Sequence, residues 1–204
     1  MAKGARMETD HQGGIMKLNR SSFVGLFIPV VAALAGLFSL AAAQPNIGDA
    51  KRGEYLVKGA GCTDCHTPLK MGPAGPAPDD SRFLSGHPAA MVMPPAPALP
   101  EGPWLYTAAA TMTAWAGPWG VSFTANLTPD RDTGLGTWTA QTFVDTIRSG
   151  RVMGRGRLLL PPMPYQAFQY LTDADLRAIF AYLQSLPRMV NKVPDPIPPA
   201  PVTR

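Results

Sequence analysis

Three stretches of the chain place apolar residues at helical spacing between polar ones, and each is bracketed by residues that start and stop helices. In NIGDAKRGEYLVKGAGC, Tyr55, Leu56 and Val57 supply an apolar face, Asp49 is placed as a cap, and Gly59 and Gly61 end the helix just before Cys62. GTWTAQTFVDTIRSG offers Thr137 or Thr139 as the cap, Phe143, Val144 and Ile147 as the buried stripe, and Gly150 as the stop. LTDADLRAIFAYLQSLP has the strongest pattern: Thr172 and Asp175 form a variant capping box, Leu176, Ile179, Phe180 and Leu183 share a face, and Pro187 lies beyond the end. Between the first and second helices the pattern breaks. From Met71 to Pro103 prolines are dense enough to allow only turns and short extended pieces, so a long loop is expected. The segment from Trp104 to Asp130 is aromatic-rich but interrupted by turns. No alternating run is long enough for a sheet core and no internal repeat is present, so the expected class is all-α, with residues 71–119 inserted as a Pro/Gly-rich loop.

The N-terminus reads as an address. Lys17 and Arg20 precede an apolar run from Phe23 to Leu40, which ends in Ala41, Ala42 and Ala43. Residues 1–43 are therefore expected to be a signal peptide that sends the folded part to the periplasm. Eighteen residues is also near the lower limit for a membrane-spanning helix, so an uncleaved leader would anchor the protein to the membrane; the run of small residues favours cleavage. From Gln44 onward, 14 Lys and Arg face 12 Asp and Glu, a net charge of +2, which points away from nucleic acid as a partner. The tryptophan-rich segment has no Lys or Arg, so its aromatic rings are expected to cover a buried surface rather than to stack on bases.

The chemistry is concentrated in GCTDCHTP, which holds both cysteines of the chain, Cys62 and Cys65, with His66 directly after them. Four uses of such a motif make different demands. A thiol redox pair of the thioredoxin kind expects a βαβ setting, which an all-α pattern does not provide. Structural zinc needs four ligands, and the remaining histidines are His11, ahead of the expected cleavage point, and His87, within the proline-rich loop. A disulfide between cysteines three apart closes a very small loop, stabilises little and leaves His66 without a role. Covalent attachment of one haem c uses all three residues: two sulfurs bond the vinyl groups on one edge of the porphyrin, and the turn between them brings the imidazole of His66 to the iron as the proximal ligand.

The second axial ligand is expected to be Met163. In LLLPPMPY, Pro161, Pro162 and Pro164 restrict the backbone on both sides, so a stiff loop between the second and third helices can hold the sulfur in place. Met153, Met91 and Met93 are rivals, as is His87. Arg148, Arg151, Arg155 and Arg157 cluster just before this loop. They are read either as a basic collar that meets an acidic partner or the haem propionates, or as a solvated glycine-rich loop.

With the helix, CTDCH, a tryptophan-led middle helix, a methionine loop and a final amphipathic helix in that order, residues 44–190 resemble the class I cytochrome c family; residues 191–204 form a proline-rich tail. The resemblance implies that the first and last helices cross at Gly53 and Tyr182, and that Trp138 donates its indole N–H to a haem propionate. GPWGVSFTANLTPDRDTGLGTW and LLPPMPY are also similar to exported proteobacterial cytochromes associated with periplasmic dehydrogenases and terminal oxidases. The expected function is single-electron transfer by a monohaem protein without substrate turnover, with a dehydrogenase, an oxidase or another cytochrome as redox partner. Two alternatives stand beside it: a haem-bearing subunit of a dehydrogenase or oxidase complex, and a peroxidase or gas-binding protein with an open distal site.

Overall fold

The computed structural model describes residues 47–99 and 101–200; the expected leader lies outside them. Helix α1 spans Ile47–Gly59, and a one-turn helix α2, Cys62–His66, follows it. The change of direction between them occurs at Gly61, whose φ of 72° lies in the left-handed region that glycine occupies without steric cost. Helix α3 spans Ala140–Ser149, the short α4 spans Tyr165–Phe168, and α5 spans Asp173–Ser185. Among the described residues, no helix is long and apolar enough to cross a membrane.

The caps act as their sequence suggests for two of the three main helices. Thr139 accepts a hydrogen bond from the backbone N–H of Thr142, and Gly150 ends α3 with a φ of 65°. Thr172 accepts from the N–H of Asp175, and its hydroxyl donates to the Asp175 carboxylate, which holds that carboxyl below its usual range. The first helix differs. It begins at Ile47, so Asp49 sits in the first turn, where its charge opposes the helix dipole, rather than at the cap. Leu56 and Val57 are buried, but Tyr55 is 67% exposed, with its ring beneath the Arg52 guanidinium.

The all-α expectation is corrected by two small antiparallel sheets. Strands β1 (Leu69–Gly72) and β2 (Gly75–Pro78) form a hairpin, and β3 (Thr107–Ala108), β4 (Ala114–Gly117) and β5 (Gly120–Phe123) form a three-stranded sheet in that order. These strands have two to four residues, too few for alternation to register as a pattern. Their signal is in the turns: Gly72-Pro73-Ala74-Gly75 and Gly117-Pro118-Trp119-Gly120 are the same G-P-x-G sequence. Each pairs its first glycine with its last, and the last adopts positive φ, 110° at Gly75 and 90° at Gly120. Segment 71–119 thus contains sheet as well as loop.

The core lies between α1, α3 and α5, where Leu56, Val57, Phe143, Val144, Ile147, Leu176, Ile179, Phe180 and Leu183 are buried together with Leu84 and Leu135. The rings of Phe143 and Phe180 lie 5.7 Å apart. At the crossing of α1 and α5, a Cβ on Gly53 would stand 1.9 Å from the Ala178 carbonyl oxygen and 2.8 Å from the Tyr182 Cβ, so the backbones touch where the family resemblance implies the crossing. The proline-rich C-terminal stretch is tied to this body. Asn191 is 4% exposed, and its side-chain amide donates to the carbonyls of Ser85 and His87 and accepts from the N–H of Ala89. Further on, Ile197 exchanges two backbone hydrogen bonds with Val121 of β5.

Candidate functional site

Helix α2 sets the first geometry. In one helical turn, residues three and four apart lie on the same face, so Cys62, Cys65 and His66 all border one cavity of about 360 Å³. Burial raises both thiols, Cys62 to about 11 with burial as the main cause, so both carry their protons at neutral pH; they are free thiols in this structure. The His66 ring is buried, and burial lowers its pKa, so it is neutral. Its Nδ1–H donates to the carbonyl oxygen of Ala125 at 2.8 Å. A neutral imidazole has one protonated nitrogen, so this bond leaves Nε2 as the lone-pair nitrogen available to a metal.

The cavity lies against the helical core. Val57, Phe143, Ile147, Ile179 and Leu183 border it from the helices, and Leu160, Pro161, Pro162, Met163 and Pro164 border it from the loop before α4. This largely hydrocarbon lining, with a coordinating imidazole and two adjacent thiols at its edge, fits the chemistry of a porphyrin. Spacing and surroundings together make Cys62, Cys65 and His66 an attachment motif for one covalently bound haem c.

Met163 is the methionine among the four candidates that borders the cavity; Met153, Met91 and Met93 do not. Met153 sits in the 3₁₀ turn Val152–Gly154 and is half exposed, while Met91 borders a separate shallow groove beside Lys70 and Arg82. His87 does not border the cavity. It is fully buried outside the cavity, its Nε2–H donates to the Met91 carbonyl, its Nδ1 is bonded to the Thr113 hydroxyl, and its ring packs on Phe123. Trp138 borders the cavity just ahead of the Thr139 cap.

The arginine cluster is divided. Arg148 bonds the carbonyls of Gln169 and Leu171 and pairs with Asp173 at 2.6 Å, which fixes the chain between α4 and α5 instead of presenting a free cation. Arg151 donates to the Gly156 carbonyl. Arg157 donates one N–H to the Leu158 carbonyl and is an exposed residue at the border of the cavity.

Sequence reasoning did not find the wall formed by β4 and β5. Trp115, Ser122 and Thr124 border the cavity there, and Ala125 supplies the carbonyl that orients His66. The tryptophan-rich composition indicates a buried surface, but strand register decides which ring lies on it.

The family described as Cytochrome c matches this chain over residues 50–187. Among known proteins, the gluconate 2-dehydrogenase cytochrome c subunit of Pantoea cypripedii is 30% identical over 75% of this chain and 27% of its own length. The cytochrome c subunit of the alcohol dehydrogenase (quinone) of Gluconobacter oxydans is 28% identical over 81% of this chain and 29% of its own. For the fructose dehydrogenase cytochrome subunit of Gluconobacter japonicus, the figures are 28% identity, 70% of this chain and 21% of the relative. The chain thus spans less than a third of the length of each of these relatives.

Proposed function

The chain belongs to the cytochrome c family, and on that premise we propose that it is the haem-bearing, electron-transferring part of an exported dehydrogenase-type redox assembly, with no substrate turnover of its own. The observation that carries the electron-transfer reading is the single cavity bordered by Cys62, Cys65 and His66 on one side and by the proline-held Met163 on another. The three relatives are all cytochrome subunits of dehydrogenases, which favours an assembled subunit over a free diffusing carrier.

Haem c supplies an iron that takes up and passes on one electron at a time. The protein's own residues do the rest. Cys62 and Cys65 would hold the group covalently, and Ala125 holds the His66 ring so that Nε2 offers its lone pair. Met163 would offer its thioether to the iron, a soft ligand that favours the reduced state and raises the potential. Trp138 is assigned a haem carboxylate as acceptor for its indole N–H. The hydrocarbon wall of Phe143, Ile147 and Ile179 excludes water and lowers the local dielectric around the iron.

The test is substrate-driven reduction. Oxidised holoprotein is mixed with periplasmic and membrane extract of its native host, and gluconate, fructose and ethanol are supplied in turn while the haem spectrum is followed. Reduction that depends on one of these oxidisable substrates is expected. Reduction at the same rate with no added substrate, or none with any, overturns the dehydrogenase assignment.

A further inference from the structure

The C-terminal stretch is held to the body of the protein at two points of unequal strength. At Asn191 the side chain is buried and engages Ser85, His87 and Ala89, while its backbone N–H donates to the Thr133 hydroxyl. Further along, the Ile197 carbonyl accepts from the N–H of Val121 at 2.8 Å, and the Ile197 N–H donates to the Val121 carbonyl at 2.9 Å. Residues 194–200 make no other hydrogen bond among the described residues. The sequence explains why the contact is so short: Pro196, Pro198 and Pro199 have no N–H, so Ile197 is the one residue of 196–199 that can donate to a strand.

The fit is built from both sides. Strand β5 lies at the edge of its sheet, and the tail covers the backbone groups of Val121 that would otherwise face solvent. A Cβ on Gly120 would overlap the Ile197 carbonyl oxygen and stand 2.7 Å from the carbonyl carbon of Pro198, so only glycine lets the two backbones come this close. The prolines, in turn, have little backbone freedom to lose when the tail docks. One residue before this contact, Pro196 borders the same cavity as Cys62, Cys65, His66 and Met163.

We infer that residues 194–200 act as a strap, hinged at Asn191 and latched at Ile197, whose release opens one side of the cavity to solvent while the rest of the fold stays in place. Local opening is easiest where a segment is held by few apolar contacts and by solvent-exposed hydrogen bonds. Ile197 is half exposed and holds by two backbone bonds, whereas Asn191 is buried in a network, so the latch opens before the hinge. On the reading that this cavity holds haem c, the closed strap shields the group from small solutes and leaves its electrons to a docked partner.

Amide hydrogen exchange on the full-length holoprotein tests the latch. The Val121 N–H is expected to exchange through a local opening that urea below the unfolding transition barely accelerates, whereas exchange of the Thr124 N–H, bonded to the Thr113 carbonyl in the same sheet, follows global unfolding. Ile197→Pro removes the donor of the latch and is expected to speed Val121 exchange about tenfold. Ala200→Pro adds the same ring where no hydrogen bond is made and should leave it unchanged. The cover is tested with ferricyanide, a small anion that takes one electron from ferrous iron. Oxidation of the ferrous holoprotein is expected to be about tenfold faster in Ile197→Pro than in wild type or Ala200→Pro. Val121 exchange that rises with urea in step with that of Thr124 overturns the inference on wild type alone, whether or not Ile197→Pro accumulates. Faster Val121 exchange in Ile197→Pro with unchanged oxidation by ferricyanide also overturns it, because the strap then opens without uncovering the iron. Haem that is extracted by acid and organic solvent refutes covalent attachment instead, and the exchange of Val121 still decides whether the strap opens.

Discussion

Met163 stands between Pro162 and Pro164 at the cavity wall, and its assigned role depends on that stiffness, since a flexible thioether has several rotamers to choose from and a ligand needs one. Met163→Ala is expected to abolish the weak long-wavelength charge-transfer absorption of ferric His/Met haem. It should also lower the potential by on the order of a tenth of a volt, a fraction of the ~0.8 V that axial ligation spans, and open the ferrous iron to carbon monoxide. Met153→Ala serves as the control, because that side chain does not border the cavity, and all three readings should match wild type. Avid carbon monoxide binding by wild type, unaltered in Met163→Ala, would assign the protein to the open-site class instead. His66 shows the same dependence on its surroundings: the Ala125 carbonyl decides which nitrogen is free, and burial keeps the ring neutral so that the nitrogen has its lone pair.

At the scale of elements, the crossing of α1 and α5 determines whether the core closes over the cavity. Gly53 allows backbone contact there, and a methyl group has nowhere to go, since the atoms it meets are the carbonyl of Ala178 and the Cβ of Tyr182 rather than the end of a movable side chain. Gly53→Ala is expected to force the helices apart and to destabilise the holoprotein by about 3 kcal/mol or more, at the upper end of overpacking costs. Gly59→Ala, at the end of the same helix with open space around its Cβ position, should be neutral or stabilise by up to about 1 kcal/mol. Urea unfolding of the two variants followed by far-UV circular dichroism distinguishes them, and equal midpoints would show that close contact at Gly53 does not hold the crossing.

Over the whole molecule, contacts far apart in sequence join the helical core to the sheet wall. Asn191 is the clearest case: its side chain reaches back about a hundred positions to hold Ser85, His87 and Ala89, and its own N–H donates to Thr133. Asn191→Ala removes one partner from each of two buried carbonyls and from the part-buried N–H of Ala89, and is expected to cost about 2–4 kcal/mol, seen as a lower thermal midpoint. Val190→Ala, at an 81% exposed neighbour, should stay within about 0.5 kcal/mol. If the two variants melt together, the C-terminal stretch is not a structural part of the domain.

The features legible in the sequence are those whose partners lie within a few residues. The spacing of Cys62, Cys65 and His66, the Thr139 and Thr172 caps, and the apolar stripes of α3 and α5 each depend on one helical turn, and a turn is fixed by local chain geometry. The crossing at Gly53 was legible for a different reason, through resemblance to a family. The two hairpins were in principle readable from their repeated G-P-x-G turns, but their strands are too short for the alternation that normally reveals a sheet. Tertiary structure decided the rest. It chose Met163 over its rivals as the methionine at the cavity, withdrew His87 into hydrogen bonds of its own, engaged Arg148 with Asp173, set the Ala125 carbonyl against His66 from 59 positions away, and turned Trp115 and Thr124 inward without partners. Each of these depends on which distant surface a side chain meets, and that is settled only when the helices and sheets pack together and leave each polar atom either a partner or none.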